Sequence, residues 1–269
     1  MRHWLGVLAL VAALTTPVLI GARSSDALEP GVDPETAFDF LPTDVTIYDP
    51  DDMRVVGHGR YRIDRPDGME IVEGENEYFD GRHDRERERL KVGAPGEAPI
   101  LLDAEHSFFG ADGSPLLADR LDASAGTASC AVYVHGTAQV HRSTVVAPAD
   151  TYAGATQLML IVARLRQGER ERIKLHAFNC LPGPKIMAIE ASVTTTRTRW
   201  TMYPGVLATI ELKPDLGWLG VLVAPFLPKM QAWFDPLDDW NYVGAAFDRF
   251  YKGEHILMVR TRRTSAPAE

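Results

Sequence analysis

The feature that most restricts this chain is a series of period-two segments divided by turn residues, beginning near Val45. VTIYD (45–49), MRVVGHGRYRI (53–63) and MEIVEGENEYF (69–79) are followed by HDRERERLKV (83–92), APILLDAEHSFF (98–109), PLLADRLDA (115–123) and SCAVYV (129–134). Alternation at that period sends successive side chains to opposite faces of a strand, a pattern that a helix of 3.6 residues per turn cannot place on one side. Arg65-Pro66-Asp67-Gly68 and Asp80-Gly81 stand between the first segments. Both suit tight hairpin turns, because glycine supplies the positive φ such turns require. The first half therefore reads as an antiparallel meander.

The period changes after Asp150, a good N-cap residue. Residues 151–167 carry strong helix formers, Arg164 and Arg166 in the last turn and Gly168 as a stop. Apolar positions 158–162 and 165 cover most of the circumference, so this helix should be buried on more than one side. Strand-like runs resume at 171–179, 185–194 and 205–213, and the chain closes with NYVGAAFDRF (241–250), a Lys252-Gly253 turn and EHILMVRTRR (254–263). Residues 218–234 (WLGVLVAPFLPKMQAWF) hold a single charge, Lys229, and two prolines, Pro225 and Pro228. Proline interrupts a regular helix, so two short helical pieces are expected there.

Strands joined by short turns pair with their neighbours. The expected fold is mainly β (α+β): a large curved antiparallel sheet or unclosed β-barrel of about nine or ten strands, wrapping one central helix and the Pro-interrupted apolar segment. Those two segments are the natural covers for the concave face, and folds of this kind place ligands in the apolar space between. Leu158, Met159, Ile161, Val162, Trp218, Leu222, Phe226 and Trp233 are the expected pocket-lining residues. The 218–234 segment could equally be a core element, a lid or a flap that touches a membrane surface.

Met1-Arg2-His3-Trp4 followed by LGVLALVAALTTPVLIGA has the layout of a secretory signal, a positive start and a short apolar run without charge. Cleavage is expected after Ala22 or Ala27, with an uncleaved anchor as the alternative. The expected organisation is a signal at 1–22, a tether at 23–44 rich in Pro, Asp and Ser, one β-rich domain at 45–264 and a short tail at 265–269. Export to the periplasm or cell envelope makes Cys130 and Cys180 informative, since disulfides persist in oxidising compartments. They are candidates for one disulfide or for two buried free thiols.

An exported meander, a single central helix after Pro148, Asp150 and Thr151, further strands and a closing hairpin together resemble the LolA-like half-barrel group. That group comprises periplasmic lipoprotein carriers, mycobacterial lipid-binding lipoproteins and uncharacterised exported families. The resemblance covers about residues 45–262 and rests on the order of elements. It implies an unclosed β-barrel around helices and non-catalytic binding of acyl chains or other hydrophobic molecules.

Catalytic signatures are missing. There is no Gly-x-Ser-x-Gly elbow, His-Glu-x-x-His motif, Walker-type loop or dinucleotide fingerprint, and no motif implies a cofactor. His135 and His141 lie six apart, with His106 and His176 in other strands, but Gly136 divides the pair and nothing in the spacing brings three or four ligands together. In DRERERL (84–90) the strand period puts Arg85, Arg87 and Arg89 on one face and Glu86 and Glu88 on the other. The arginine row would face an anionic head group or, more simply, pair with Glu73, Glu75 and Glu77 across a hairpin. A net charge of −9 and pI near 5.4 disfavour nucleic acid as a partner. The expected function is an exported envelope protein that binds a lipid or other hydrophobic ligand. The alternatives are a structural or assembly partner in the envelope and, third, a hydrolase without a recognisable motif.

Overall fold

The computed structural model describes residues 44–93, 98–168, 172–180, 183–197, 206–215, 230–248 and 254–261. The expected signal at 1–22 and tail at 265–269 lie outside them. So does the expected tether, apart from Asp44, which opens the first strand.

The alternating segments form strands β1 (Asp44–Tyr48), β2 (Val55–Asp64), β3 (Met69–Tyr78), β4 (His83–Lys91), β5 (Ile100–Phe109), β6 (Pro115–Asp122), β7 (Thr127–Val134) and β8 (Thr137–Thr144). A two-residue strand β9 (Thr151–Tyr152) leads into helix α1 (Gly154–Arg166). The chain then continues through β10 (Arg172–Asn179), β11 (Lys185–Arg197), β12 (Val206–Pro214), β13 (Met230–Asp235), β14 (Asn241–Asp248) and β15 (His255–Arg260). All fifteen strands join one sheet in the order β8-β7-β6-β5-β4-β3-β2-β1-β15-β14-β13-β12-β11-β10-β9. The pairing of β1 with β15 unites the two halves of the chain, and β8 and β9 are the free ends, so the sheet is curved and unclosed.

The strand count exceeds the expected nine or ten for local reasons. The turn at His135 and Gly136, both with positive φ, splits one expected strand region into β7 and β8. Met230–Asp235 is a strand, where a helical piece was expected: Ala232 and Phe234 point into the core, and antiparallel pairing to β12 and β14 fixes the extended backbone. An apolar run without clear alternation does not separate the two states. The rest of the expected helical segment, residues 216–229, lies outside the described residues.

Helix α1 also begins later than its sequence signals suggest. Thr151 and Tyr152 pair in parallel with His176 and Ala177, which keeps that backbone extended, and the N-cap is Ala153. Asp150 instead contacts the His176 imidazole at 2.7 Å. The expected burial on several sides is observed: Met159, Leu160, Ile161, Val162 and Leu165 have no exposure. They form one core with the inward side chains of both halves of the sheet, including Leu90, Leu121, Ile210, Phe234 and Met258. No helix among the described residues is long and apolar enough to cross a membrane.

Cys130 of β7 and Cys180, the residue after β10, are joined in a disulfide with Cα atoms 5.7 Å apart. These strands neighbour the free edges β8 and β9, so the bond bridges the sheet's two ends. The Ser143 hydroxyl donates to the Pro184 carbonyl across the same seam at 2.7 Å. Closure at the seam is thus by a covalent staple and side-chain contacts.

Candidate functional site

The registers of successive hairpins align residues from seven strands into one row on the concave face. Tyr61 stands opposite Gly74, Gly74 opposite Glu86, Glu86 opposite His106, His106 opposite Asp119, Asp119 opposite Cys130, and Cys130 opposite His141. Asn76 and Asp84 continue the polar surface one step along the strands, where the Asn76 amide donates to Asp84 at 2.9 Å and the Tyr78 hydroxyl donates to it at 3.0 Å. Apolar side chains flank this band: Leu90, Leu101 and Leu121 on the helix side, Phe108 on the other. A cavity of about 100 Å³ opens off the band, lined by Glu86, Glu88, His106, Asp119, Gly154 and Phe178 among others, with Cys180 at its edge.

The N-terminus of α1 is docked directly on this band. The Thr156 amide donates both to Glu88 Oε2 at 3.0 Å and to the Ala153 carbonyl at 3.1 Å, so a strand carboxyl reaches the N–H groups at the helix end. The Thr156 hydroxyl is engaged with the Ala153 carbonyl at 2.7 Å. Gly154 has φ +42°, and a Cβ there would lie 2.2 Å from Glu88 Oε1 and 2.5 Å from Glu86 Oε2. Both carboxyl groups therefore converge on one point against the helix backbone, which only glycine leaves open. Gly74, on the neighbouring strand β3, leaves room in the same way, since a Cβ on it would meet Tyr61 Cε1 at 2.6 Å and Glu86 at 2.8 Å.

The electrostatics follow from burial. Desolvation raises the Glu86 carboxyl, the nearby His106 lowers it, Asp84 raises it again, and the outcome is about 7. Burial and then Glu86 lift Glu88 well above the usual carboxylate range, against the opposing hydrogen bonds of Thr156. Asp119 is also raised by burial. Burial disfavours the His106 cation, yet Asp84, Asp119 and Glu86 outweigh it and push that group up to about 9. Its ring nitrogens stand 3.9 Å from Asp84 and 3.8 Å from Asp119. Burial and the neighbouring charges thus move the Glu86, Glu88 and Asp119 carboxyl groups and the His106 imidazole all toward tighter proton binding. Such a cluster can store and exchange protons.

The opposite face of the same strands is a ladder of ion pairs. Arg85 pairs with Glu75 at 2.9 Å, Arg87 with Glu73 at 3.3 Å and Arg89 with Asp103 at 2.9 Å through Nε. The first two pairs follow the simpler of the two expectations for the arginine row; Arg89 departs from it by pairing with β5, and Glu77 stands opposite His83. Arg85, Glu75, Arg87 and Glu73 border a surface depression of about 410 Å³ with Arg60 and Arg62, and Gly74 and Glu86 also reach its lining.

The expected pocket residues fall in three places. Met159, Ile161 and Val162 lie in the core with no exposure, and the partly buried Leu158 packs against the same cluster. Trp233 is on the other face of β13 from Phe234, and packs with Tyr48 against Ala246, Leu257 and Val259. The structure therefore does not bring it together with the helix residues. Trp218, Leu222 and Phe226 lie outside the described residues. Neither cavity named above is lined by Leu158, Met159, Ile161 or Val162.

The four histidines have separate surroundings: His106 in the polar band, His135 in the β7–β8 turn, His141 exposed on β8 and His176 against Asp150. Among the described residues no group of three or more His, Cys, Asp or Glu is placed to hold a metal ion. Sequence reasoning placed Glu86 and Glu88 only on the face away from the arginines, and missed Tyr61, Asp84, Asp119 and Gly154. The available signal was the repeated acidic position inside DRERERL, three carboxyls (Asp84, Glu86 and Glu88) destined for whichever face the arginines leave.

No protein-family model matches the chain, and no curated protein matches it. Among solved structures, one described as the crystal structure of a beta-barrel-like protein of domain of unknown function DUF1849 from Brucella abortus is similar. The similarity covers 82% of this chain and 97% of that one, with a TM-score of 0.42 and 9% identity. The likeness to the LolA-like group rests on the order of elements alone.

Proposed function

We propose that the protein is an exported, non-catalytic envelope protein that takes a lipid or other hydrophobic ligand into the curve of its sheet. The observation that carries this reading is an apolar helix lying against the concave face of a sheet that, among the described residues, backbone hydrogen bonds do not close. Export is supported by the Cys130–Cys180 bond, which requires an oxidising compartment to persist, and by the signal-like layout of residues 1–22. Leu158, Met159, Ile161 and Val162, with Trp218, Leu222 and Phe226, are the proposed apolar lining. Because three of these have no exposure, uptake requires α1 to shift from its seat. Trp233 would serve on the other face, where an envelope partner or membrane surface could meet it.

A second reading, an assembly partner in the envelope, is favoured by the complete burial of Met159, Ile161 and Val162 in a filled core. Mass spectrometry of an organic extract of the purified protein, with titration by a fluorescent fatty-acid probe, separates the two. A bound amphiphile or saturable probe uptake supports the carrier. An empty protein that takes up no probe overturns it and leaves the assembly partner.

A further inference from the structure

We propose that Glu86 and Glu88 form a proton-operated latch that holds the N-terminus of α1 against the sheet, closed while the pair carries protons and open when it has lost them. This goes beyond the binding reading and holds whether or not the interior takes a ligand. Both carboxyl groups reach the same point beside Gly154, and Glu88 accepts the Thr156 amide. Two carboxyl groups brought that close in a desolvated site cannot both ionise without strong repulsion.

The surroundings decide the sign. From β4 itself Asp84 adds negative charge; from β5 come His106 and Glu105; from β6 comes Asp119; from β2 comes Tyr61. On β3, Glu70 lies opposite Leu90, two residues along β4 from Glu88, and beside β9 Asp150 is held by His176 of β10. His141 ends the row beyond the disulfide. The first turn of α1 carries no acidic residue, so the helix end offers its partial positive charge to the pair. That charge and the His106 cation favour ionisation, but burial and the neighbouring carboxyl groups oppose it and prevail at both positions. The closed arrangement thus binds protons more tightly than one in which water reaches the pair. By linkage, rising pH favours release of the helix end. The proton passes to solvent, and the ionised carboxylates gain hydration in return.

Hydrogen exchange on the purified protein tests this. After correction for the intrinsic pH dependence of exchange, the amides of residues 156–160 should lose tenfold or more of their protection between pH 6 and pH 8.5, while those of β14 and β15 stay constant. A protein carrying Glu86→Gln and Glu88→Gln keeps an acceptor for Thr156 and has no titrating group against the helix end, so its helix amides should be protected equally at both pH values. Gly154→Ala inserts a methyl where the two oxygens converge and should expose the helix end at pH 6 as well. Equal helix protection at both pH values in the unmodified protein, or an equal loss in β14 and β15, overturns the latch. A pH dependence that survives in the double glutamine variant overturns it independently.

Discussion

Arg62, Glu73, Arg87, Glu105 and Arg120 occupy successive register positions on the outer face of β2 to β6, and Tyr61, Gly74, Glu86, His106 and Asp119 stand one residue away on the inner face. Each row carries acids and bases on the same strands, yet their physical chemistry differs. Outside, Arg62, Arg87 and Arg120 alternate with glutamates at 3.2–3.7 Å and remain open to water, where such pairs are worth little. Inside, desolvation and an excess of carboxyl groups shift protonation itself. Residue type and spacing do not define a polar site; the side of the sheet on which the residues stand does.

The comparison can be broken most severely at the end of the inner row, where Cys130 is bonded to Cys180. Replacing both by serine should cost about 4 kcal/mol, because the unfolded chain regains the freedom of a loop of about 50 residues. A urea titration of this variant beside the unmodified protein measures it. Next, His106→Ala withdraws the cation from among Asp84, Glu86 and Asp119. A loss of about 3 kcal/mol is expected at pH 8. At pH 5, below the value of about 7 to which Glu86 is raised, that carboxyl holds its own proton and the loss should be clearly smaller.

The unmodified protein should also lose stability as pH rises, with no substitution at all. His106 binds its proton more tightly folded than unfolded, so its contribution is complete below pH 6.5 and disappears as pH passes 9. Glu86 acts with the same sign, imposing a penalty that is absent below 4.5 and complete above 7. Together they should lower stability between pH 5 and pH 9, visible as a falling melting midpoint. The smallest effect belongs to the outer row: Arg87→Ala should cost less than about 0.5 kcal/mol, and the cost should shrink further in 1 M salt. A larger penalty for Arg87→Ala than for His106→Ala would invert the contrast between the faces.

The sequence made the outer row readable and concealed the inner one, for one reason. Arg85 and Arg87 oppose Glu75 and Glu73 across a single hairpin, so alternation and complementary sign within about 15 residues predict their pairing. His106, Asp119 and Glu86 meet only because two further registers happen to agree, and a β-bulge between Arg89 and Leu90 adjusts one of them. Helix α1 was legible from its apolar circumference. Its start was not, because the parallel pairing of Thr151 with His176 joins residues 25 positions apart and displaced Asp150 from its cap. Residues 230–235 were misassigned since Trp233 and Phe234 are apolar on both faces, which removes the alternation a strand would otherwise display.

The two rows also bear on how the hairpins find their partners. Side chains along a strand change face at every residue, so a slip of one position in a hairpin among β2 to β6 would carry an arginine of the outer row into the interior and turn Glu86, His106 or Asp119 outward. A guanidinium delivered there would meet apolar neighbours instead of its ladder partner, at a cost of several kcal/mol per misplaced charge. Misregistered hairpins are therefore penalised at each strand before the sheet is complete. The alternation of charge acts as a proofreading device for assembly, one that operates while the chain is folding and leaves no trace in the finished contacts.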